Sequence, residues 1–162
     1  MDKFLFAFLL IFFKFAFVHV VSFPWSLFDP LLAIVVIYTF FHSLDMRHYL
    51  VYALFCGFLR DVFGLDVFGI SMLSYLACAF GVAVASRIIY RQNWVFVFPM
   101  VFFGAFLNNQ LIFLLRVLLL PAGHMNFSGW FFIRSLVESI GTVLLSYPLY
   151  IFSKRCVPGL TG

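Results

Sequence analysis

Residues 94–119, WVFVFPMVFFGAFLNNQLIFLLRVLL, contain a single formal charge, Arg116. A helix needs about 20 predominantly apolar residues to cross a hydrocarbon core about 30 Å thick, and this run exceeds that length. The same pattern repeats outward from it. Further apolar runs occupy residues 4–22, 30–44, 49–65, 69–88 and 129–152, the second being the shortest. The breaks between them carry turn chemistry: Phe23-Pro24-Trp25 to Asp29-Pro30, Asp45-Met46-Arg47-His48, a very tight Gly64-Leu65-Asp66, Arg91-Gln92-Asn93, and Pro121-Ala122-Gly123-His124 to Gly129. The pattern predicts an all-α integral membrane protein of six transmembrane helices, with residues 1–162 as a single membrane domain.

Composition agrees. Of 162 residues, 65% are hydrophobic and 10% charged, and mean hydropathy is +1.14. A water-soluble fold of this length lacks the polar residues to coat such a surface, so lipid is the expected solvent. The short connections leave no room for a separate catalytic or nucleic-acid-binding domain. Cys56, Cys78 and Cys156 suggest no disulfide framework. The first two fall inside apolar runs, and Cys156, beside Lys154 and Arg155, allows lipidation only through a loose motif. The run after Lys3 reads as a first span rather than a cleaved leader, because it is long, contains Lys14 and is followed by no small-x-small site.

Basic residues set the orientation. With six spans, one side holds Lys3, Arg47, Arg87, Arg91, Lys154 and Arg155, whereas on the other the connections 23–29 and 120–128 hold no Lys or Arg and only Arg60 lies close to the third turn. The positive-inside rule places the first side, with both termini, in the cytoplasm. Trp25, Trp94 and Trp130 fall at span ends, where an indole prefers the headgroup region.

Polar groups inside the spans are the informative ones, because each is costly in hydrocarbon. Lys14 lies ~15 Å from the start of the first span and Glu138 ~14 Å from the start of the last, at 1.5 Å per residue. Their depths match, so an ion pair joining the first and last helices is one expectation. In the alternative Lys14 snorkels and Glu138 is protonated or bonded to Ser135 or Thr142. A second group gathers in the outer half: Arg60 and Asp61, then Asn108, Asn109 and Gln110, then Arg116 and Arg134. Asp61 is the natural counter-ion for Arg116 or Arg134. This group reads either as a cavity for a ligand or partner, or as interhelical bonding that locks the bundle.

In the fourth run Ala77, Gly81 and Ala85 recur every four residues, flanked by Ser74 and Cys78. Such a face allows close helix packing and predicts a central or tightly paired helix. The 26 Phe fall all round the helices, which suits lipid-facing or groove-filling roles and not a cofactor box. His19, His42, His48 and His124 form no metal-binding spacing, no G-x-S-x-G is present, and Asp61 and Asp66, five apart, do not share a helix face. The expectation is a non-enzyme without cofactor or metal.

The stretch Gly57-Phe58-Leu59-Arg60-Asp61-Val62-Phe63-Gly64-Leu65-Asp66-Val67-Phe68-Gly69, continuing to Ser74-Tyr75-Leu76, places a Gly, an Asp four later, and two further Gly around a tight turn. This pattern resembles the rod shape-determining protein family MreD. Asp29-Pro30-Leu31-Leu32 and Pro148 also resemble it. Lys14 and Glu138 belong to no family pattern. The resemblance implies a multi-pass protein of the bacterial inner membrane, in the peptidoglycan elongation machinery. It implies the single-span protein MreC as partner, alongside MreB, RodA and a transpeptidase penicillin-binding protein. The fold it implies is similar to the substrate-binding S components of energy-coupling-factor transporters. Gly57, Asp61, Gly64, Gly69, Lys14, Glu138, Asn108, Asn109, Arg116 and Arg134 are the structural or partner-binding candidates. A scaffold role competes with a small-molecule or lipid-binding role, and an intramembrane enzyme ranks last.

Overall fold

The computed structural model describes residues 4–12, 29–42, 44–63, 68–88, 94–119 and 129–156. They form six α-helices and a short 3-10 turn. Helix α1 covers residues 4–12. The others are α2 (Pro30–Phe41), α3 (Met46–Phe63), α4 (Ile70–Ile88), α5 (Val97–Leu119, entered through the 3-10 turn Trp94–Phe96) and α6 (Gly129–Cys156). Among the described residues, Ile70–Ile88 and Val97–Leu118 are long and apolar enough to cross a membrane.

Helix α2 is the axle of the bundle. It packs against α3, α4, α5 and α6, and every residue from Leu31 to Phe40 is buried. A helix that is apolar all round belongs inside. At 12 residues it is ~18 Å long, and it ends at Phe41 rather than running on to residue 44. A backbone shorter than the hydrocarbon core is tolerable where other helices sheathe it from lipid. Pro30 opens it at the first position, where the missing N–H costs nothing. At its far end His42 donates its backbone N–H to the Tyr38 carbonyl (2.9 Å) and stacks its ring on Tyr38.

The sheath runs α3, α4, α5, α6 in order of contact, and Phe4 of α1 packs edge-on against Tyr52 and Phe55 of α3. Helices α2 and α3 therefore turn back on one another, as do α4 and α5 and then α6. The starts of α2, α4 and α6 lie at the same end of the bundle as the finishes of α3 and α5, here named the hairpin end. Two glycines mark where backbones come closest. A Cβ on Gly57 of α3 would lie 2.7 Å from the Met72 Cα of α4, and one on Gly104 of α5 would lie 2.9 Å from Val36 Cγ2 of α2.

Helix α6 reverses the usual amphipathic order. Its inward face carries Ser135, Ser139, Thr142 and Ser146, all buried, whereas Ile133, Val137, Ile140 and Leu144 are exposed, Leu144 by 71%. The hydroxyls donate back into their own helix. Ser139 bonds the Ser135 carbonyl at 2.7 Å, Thr142 the Glu138 carbonyl at 2.8 Å and Ser146 the Val143 carbonyl at 2.6 Å. Small residues so satisfied can sit inside without stranding a donor, and leucines outside suit a lipid solvent.

Helix α4 is tightly paired, above all with α3 and also with α2 and α5, but not through the stripe of small residues. Ala77 and Gly81 are exposed, and a Cβ on Gly81 would meet nothing within 4 Å. The buried face of α4 is instead Ser71, Ser74, Tyr75, Cys78, Ala79, Val82, Ala83 and Ser86. Residues three and four apart satisfy either face of a helix, and here the bulkier set with hydroxyls turns inward.

Candidate functional site

The hairpin end concentrates the polar side chains, and two consecutive residues of α3 organise it. Helix α4 starts just after Gly69, which has a φ of 97°. Only a residue without Cβ adopts that backbone freely, but glycine has no side chain with which to cap the helix it introduces. Asp61 supplies the missing cap. Its carboxylate accepts from the backbone N–H of Gly69 (2.9 Å), Ser71 (3.1 Å) and Met72 (3.3 Å). These N–H groups have no partner in the first turn of a helix, and a negative charge there also opposes the helix dipole. Asp61 is 4% exposed. It is thus an acceptor for amides, not the counter-ion of Arg116 or Arg134: three amide donors already converge on its two oxygens.

Arg60, one residue earlier, turns the other way. Its Nη1 pairs with Asp29 Oδ2 and also donates to the Tyr75 hydroxyl (3.2 Å), which itself donates to the same Asp29 oxygen (2.7 Å). The guanidinium lies 5.5 Å from the Tyr75 ring centroid. Asp29 caps α2 by accepting from the Leu32 N–H, and its own N–H donates to Thr142 Oγ1 (3.4 Å). Arg60 and Asp61 together fasten the starts of α2 and α4 to the end of α3, with a link to α6. Gly57, one turn back, allows the close α3–α4 contact that brings Asp61 within reach. Gly64 lies outside the described residues.

The amide-bearing segment of α5 makes a second seam. The Ser74 hydroxyl donates to Asn108 Oδ1 (2.7 Å). Asn109 Nδ2 donates to Glu138 Oε2 (3.0 Å), and Gln110 Nε2 to Ser135 Oγ (3.4 Å). Arg134 Nε donates to Glu138 Oε1 (2.9 Å). Glu138 therefore joins α6 to α5, with Arg134 one turn before it. Lys14 lies outside the described residues, and so does the expected pair with Glu138. Arg116 sits near the end of α5. Among the described residues, the buried Nδ2 of Asn108 has no hydrogen-bond partner. Asp61 and the α5 amides are legible in the sequence, whereas Asp29 and Tyr75 as partners of Arg60 are not; the Asp-Pro at a helix start is the available signal for the first.

The arrangement binds helix ends and helix flanks to one another. The family model described as rod shape-determining protein MreD matches residues 2–156. The chain belongs to the MreD family. Neither the curated proteins nor the solved structures give a match. MreD proteins are shape-determining membrane proteins and not a known family of enzymes. Membership assigns the chain to rod-shape determination and, in general terms, to the elongation complex. In MreD terms the Gly57–Gly69 motif is a hairpin clasp: a close-contact glycine, a remote cap, and a turn glycine.

Proposed function

We propose that this MreD protein is a non-enzymatic scaffold of the inner membrane that binds the transmembrane helix of MreC and positions the wall synthases of the elongation complex. MreB, RodA and a transpeptidase penicillin-binding protein complete that assembly. Residues 1–162 act as one membrane domain crossed six times, with both termini cytoplasmic and the hairpin end facing outward. The observation that carries the reading is the family match over residues 2–156. The way polar groups are used supports it: Asp61, Arg60, Asp29 and Glu138 bond to other helices, as a rigid platform requires.

The test replaces the chromosomal gene with a tagged copy. The wild-type chain is expected to restore rod shape and to copurify MreC in mild detergent; rods in its complete absence, or no MreC in the purified complex, overturn the reading. Tags at the two termini should both report the cytoplasm. One observation favours a second reading, a ligand-binding subunit similar to transporter S components or a lipid-binding protein: among the described residues the buried amide of Asn108 has a donor to spare. A vitamin or lipid headgroup retained through purification would support it.

A further inference from the structure

The clasp and the α5 seam share residues. From α4, the Tyr75 hydroxyl donates to Asp29 at the start of α2 (2.7 Å). The Asp29 N–H donates to Thr142 Oγ1 of α6 (3.4 Å). Thr142 donates in turn to the Glu138 carbonyl one turn earlier (2.8 Å), and the Glu138 carboxylate accepts from Asn109 of α5 (3.0 Å). Asn109 follows Asn108, which accepts from Ser74 of α4 (2.7 Å), and Ser74 precedes Tyr75. The path therefore returns to the helix on which it began, by way of α2, α6 and α5. Helix α3 joins it from the side, through Arg60 on Asp29 and Tyr75 and through Asp61 on the amides that open α4. Ser74, Tyr75, Asn108 and Thr142 are buried, and in a medium of low dielectric each hydrogen bond of a network strengthens those it adjoins. In an open chain of contacts a terminal helix leaves with the loss of one link. In a closed ring every helix is held from both sides, so displacing one strains two links and the neighbours beyond them.

We infer that this ring makes the hairpin end a single cooperative unit, which opens and closes as a whole while the opposite end of the bundle stays folded. Cutting any link, on whichever helix, releases the start of α4. Proteins open locally in contiguous units of this kind, and here the hydrogen-bonded path marks the boundary of the unit. The far end of α2, where Tyr38, Thr39 and Phe40 are buried, lies ~15 Å along the helix from Asp29 at 1.5 Å per residue and outside the ring. The inference concerns the chain by itself and stands apart from the scaffold reading. For a partner it means that contact with one flank of the hairpin end is felt at the others.

The experiment is amide hydrogen exchange on the full chain in detergent, resolved to the start of α4 and the far end of α2. Asn109→Leu cuts the α5–α6 link, which includes no atom of α4. The Ser71 and Met72 amides, both bonded to Asp61, are nevertheless expected to exchange about threefold faster, the factor in an equilibrium that one interhelical hydrogen bond is worth in a membrane protein. The amides of Tyr38, Thr39 and Phe40 should keep their wild-type rates. Thr142→Val cuts the α2–α6 link, the longest in the ring, with little change in side-chain volume and should act in the same way. Thr142→Ser retains the hydroxyl and should exchange like the wild type. Should Asn109→Leu fail to accumulate, Thr142→Val against Thr142→Ser carries the test. Faster exchange confined to α5 and α6 would show that the links act independently. Equal acceleration at Tyr38, Thr39 and Phe40 would show a bundle that loosens everywhere at once, with no separate unit at the hairpin end. Either result overturns the inference, and so does a Thr142→Val chain whose Ser71 and Met72 amides exchange at wild-type rates.

Discussion

Two stretches of small residues, one on the hairpin between α3 and α4 and one further along α4, show how differently the same residue type is used. At the hairpin, Gly57 faces the Met72 backbone so closely that a Cβ would stand 2.7 Å from its Cα, and Gly69 takes a φ of 97°. Along α4, Gly81 faces open space. In water the exposed stripe would be unremarkable. In lipid, where apolar side chains gain nothing by being inside, burial follows from hydrogen bonding and fit rather than from hydropathy. The hairpin has both: the Asp61 bonds hold the helices together and the glycine makes room for it.

The comparison breaks most severely if the bonds are removed. Asp61→Ala strands the N–H groups of Gly69, Ser71 and Met72 at the start of α4, where Ser71 is buried and the other two are half-buried. A buried unsatisfied donor costs about 1–3 kcal/mol, so the loss should reach about 3 kcal/mol or more. Thermal denaturation of the purified chain should show the largest fall in midpoint of any substitution at this end, and the variant should fail to restore rod shape. Asp61→Asn keeps one acceptor and should fall between. An unchanged midpoint for Asp61→Ala would mean that the clasp does not hold the hairpin.

Arg60→Leu tests the other half of the clasp. It leaves Asp29 mostly buried, with 15% of its side chain exposed, and retaining the Tyr75 hydroxyl and the Leu32 amide as donors. Removing one partner of a fully buried pair costs about 3–5 kcal/mol; the retained donors and the partial exposure should reduce this to about 2 kcal/mol. Arg60→Leu with Asp29→Asn should recover part of the loss, because the uncompensated charge is then gone. Failure of the double variant to recover would place the energy in Tyr75 packing instead.

Steric tests of the glycines come next. Gly57→Ala must push apart backbone atoms, not flexible side-chain ends, and overpacking of this kind costs about 1–3 kcal/mol. Gly69→Ala meets no neighbour, so its penalty is conformational alone, about 1–2 kcal/mol for a left-handed backbone. Denaturation midpoints should therefore rank wild type, Gly69→Ala, Gly57→Ala in descending order. The reverse order would show that the helices can separate more easily than the turn can change.

Much of this was legible beforehand. Helices α3 to α6 lie close to their apolar runs, and Gly57, Asp61 and Gly69 are marked out by the family pattern, which a short stretch can carry because the three act within one hairpin. Arg60 with Asp29 and Tyr75 was not, because the three meet only once α2 is threaded through the middle of the bundle, and nothing local in the sequence fixes that. The central place of α2 was also hidden: a lipid-facing helix and a sheathed one can both be apolar all round. The inner face of α6 could have been read, since Ser135, Ser139, Thr142 and Ser146 recur at helical spacing. The stripe at Ala77, Gly81 and Ala85 misled because small size permits close packing without demanding it.

That permissiveness makes the smallest expected effect the most pointed one. Gly81→Ala adds a methyl group where nothing lies within 4 Å, in the middle of a regular helix. Replacing a helical glycine by alanine is favourable by about 0.8–1.0 kcal/mol, so the purified chain should gain slightly in denaturation midpoint, opposite in sign to Gly57→Ala on the neighbouring helix. In cells the same variant should leave rod shape intact if the stripe merely faces lipid. A chain that is stabilised in detergent yet loses rod shape would separate folding from assembly, because the added methyl then obstructs something that only the complete complex brings against α4. The Gly81 face would in that event serve a helix from another chain, and the contrast with the hairpin would become one between packing within the protein and packing between proteins.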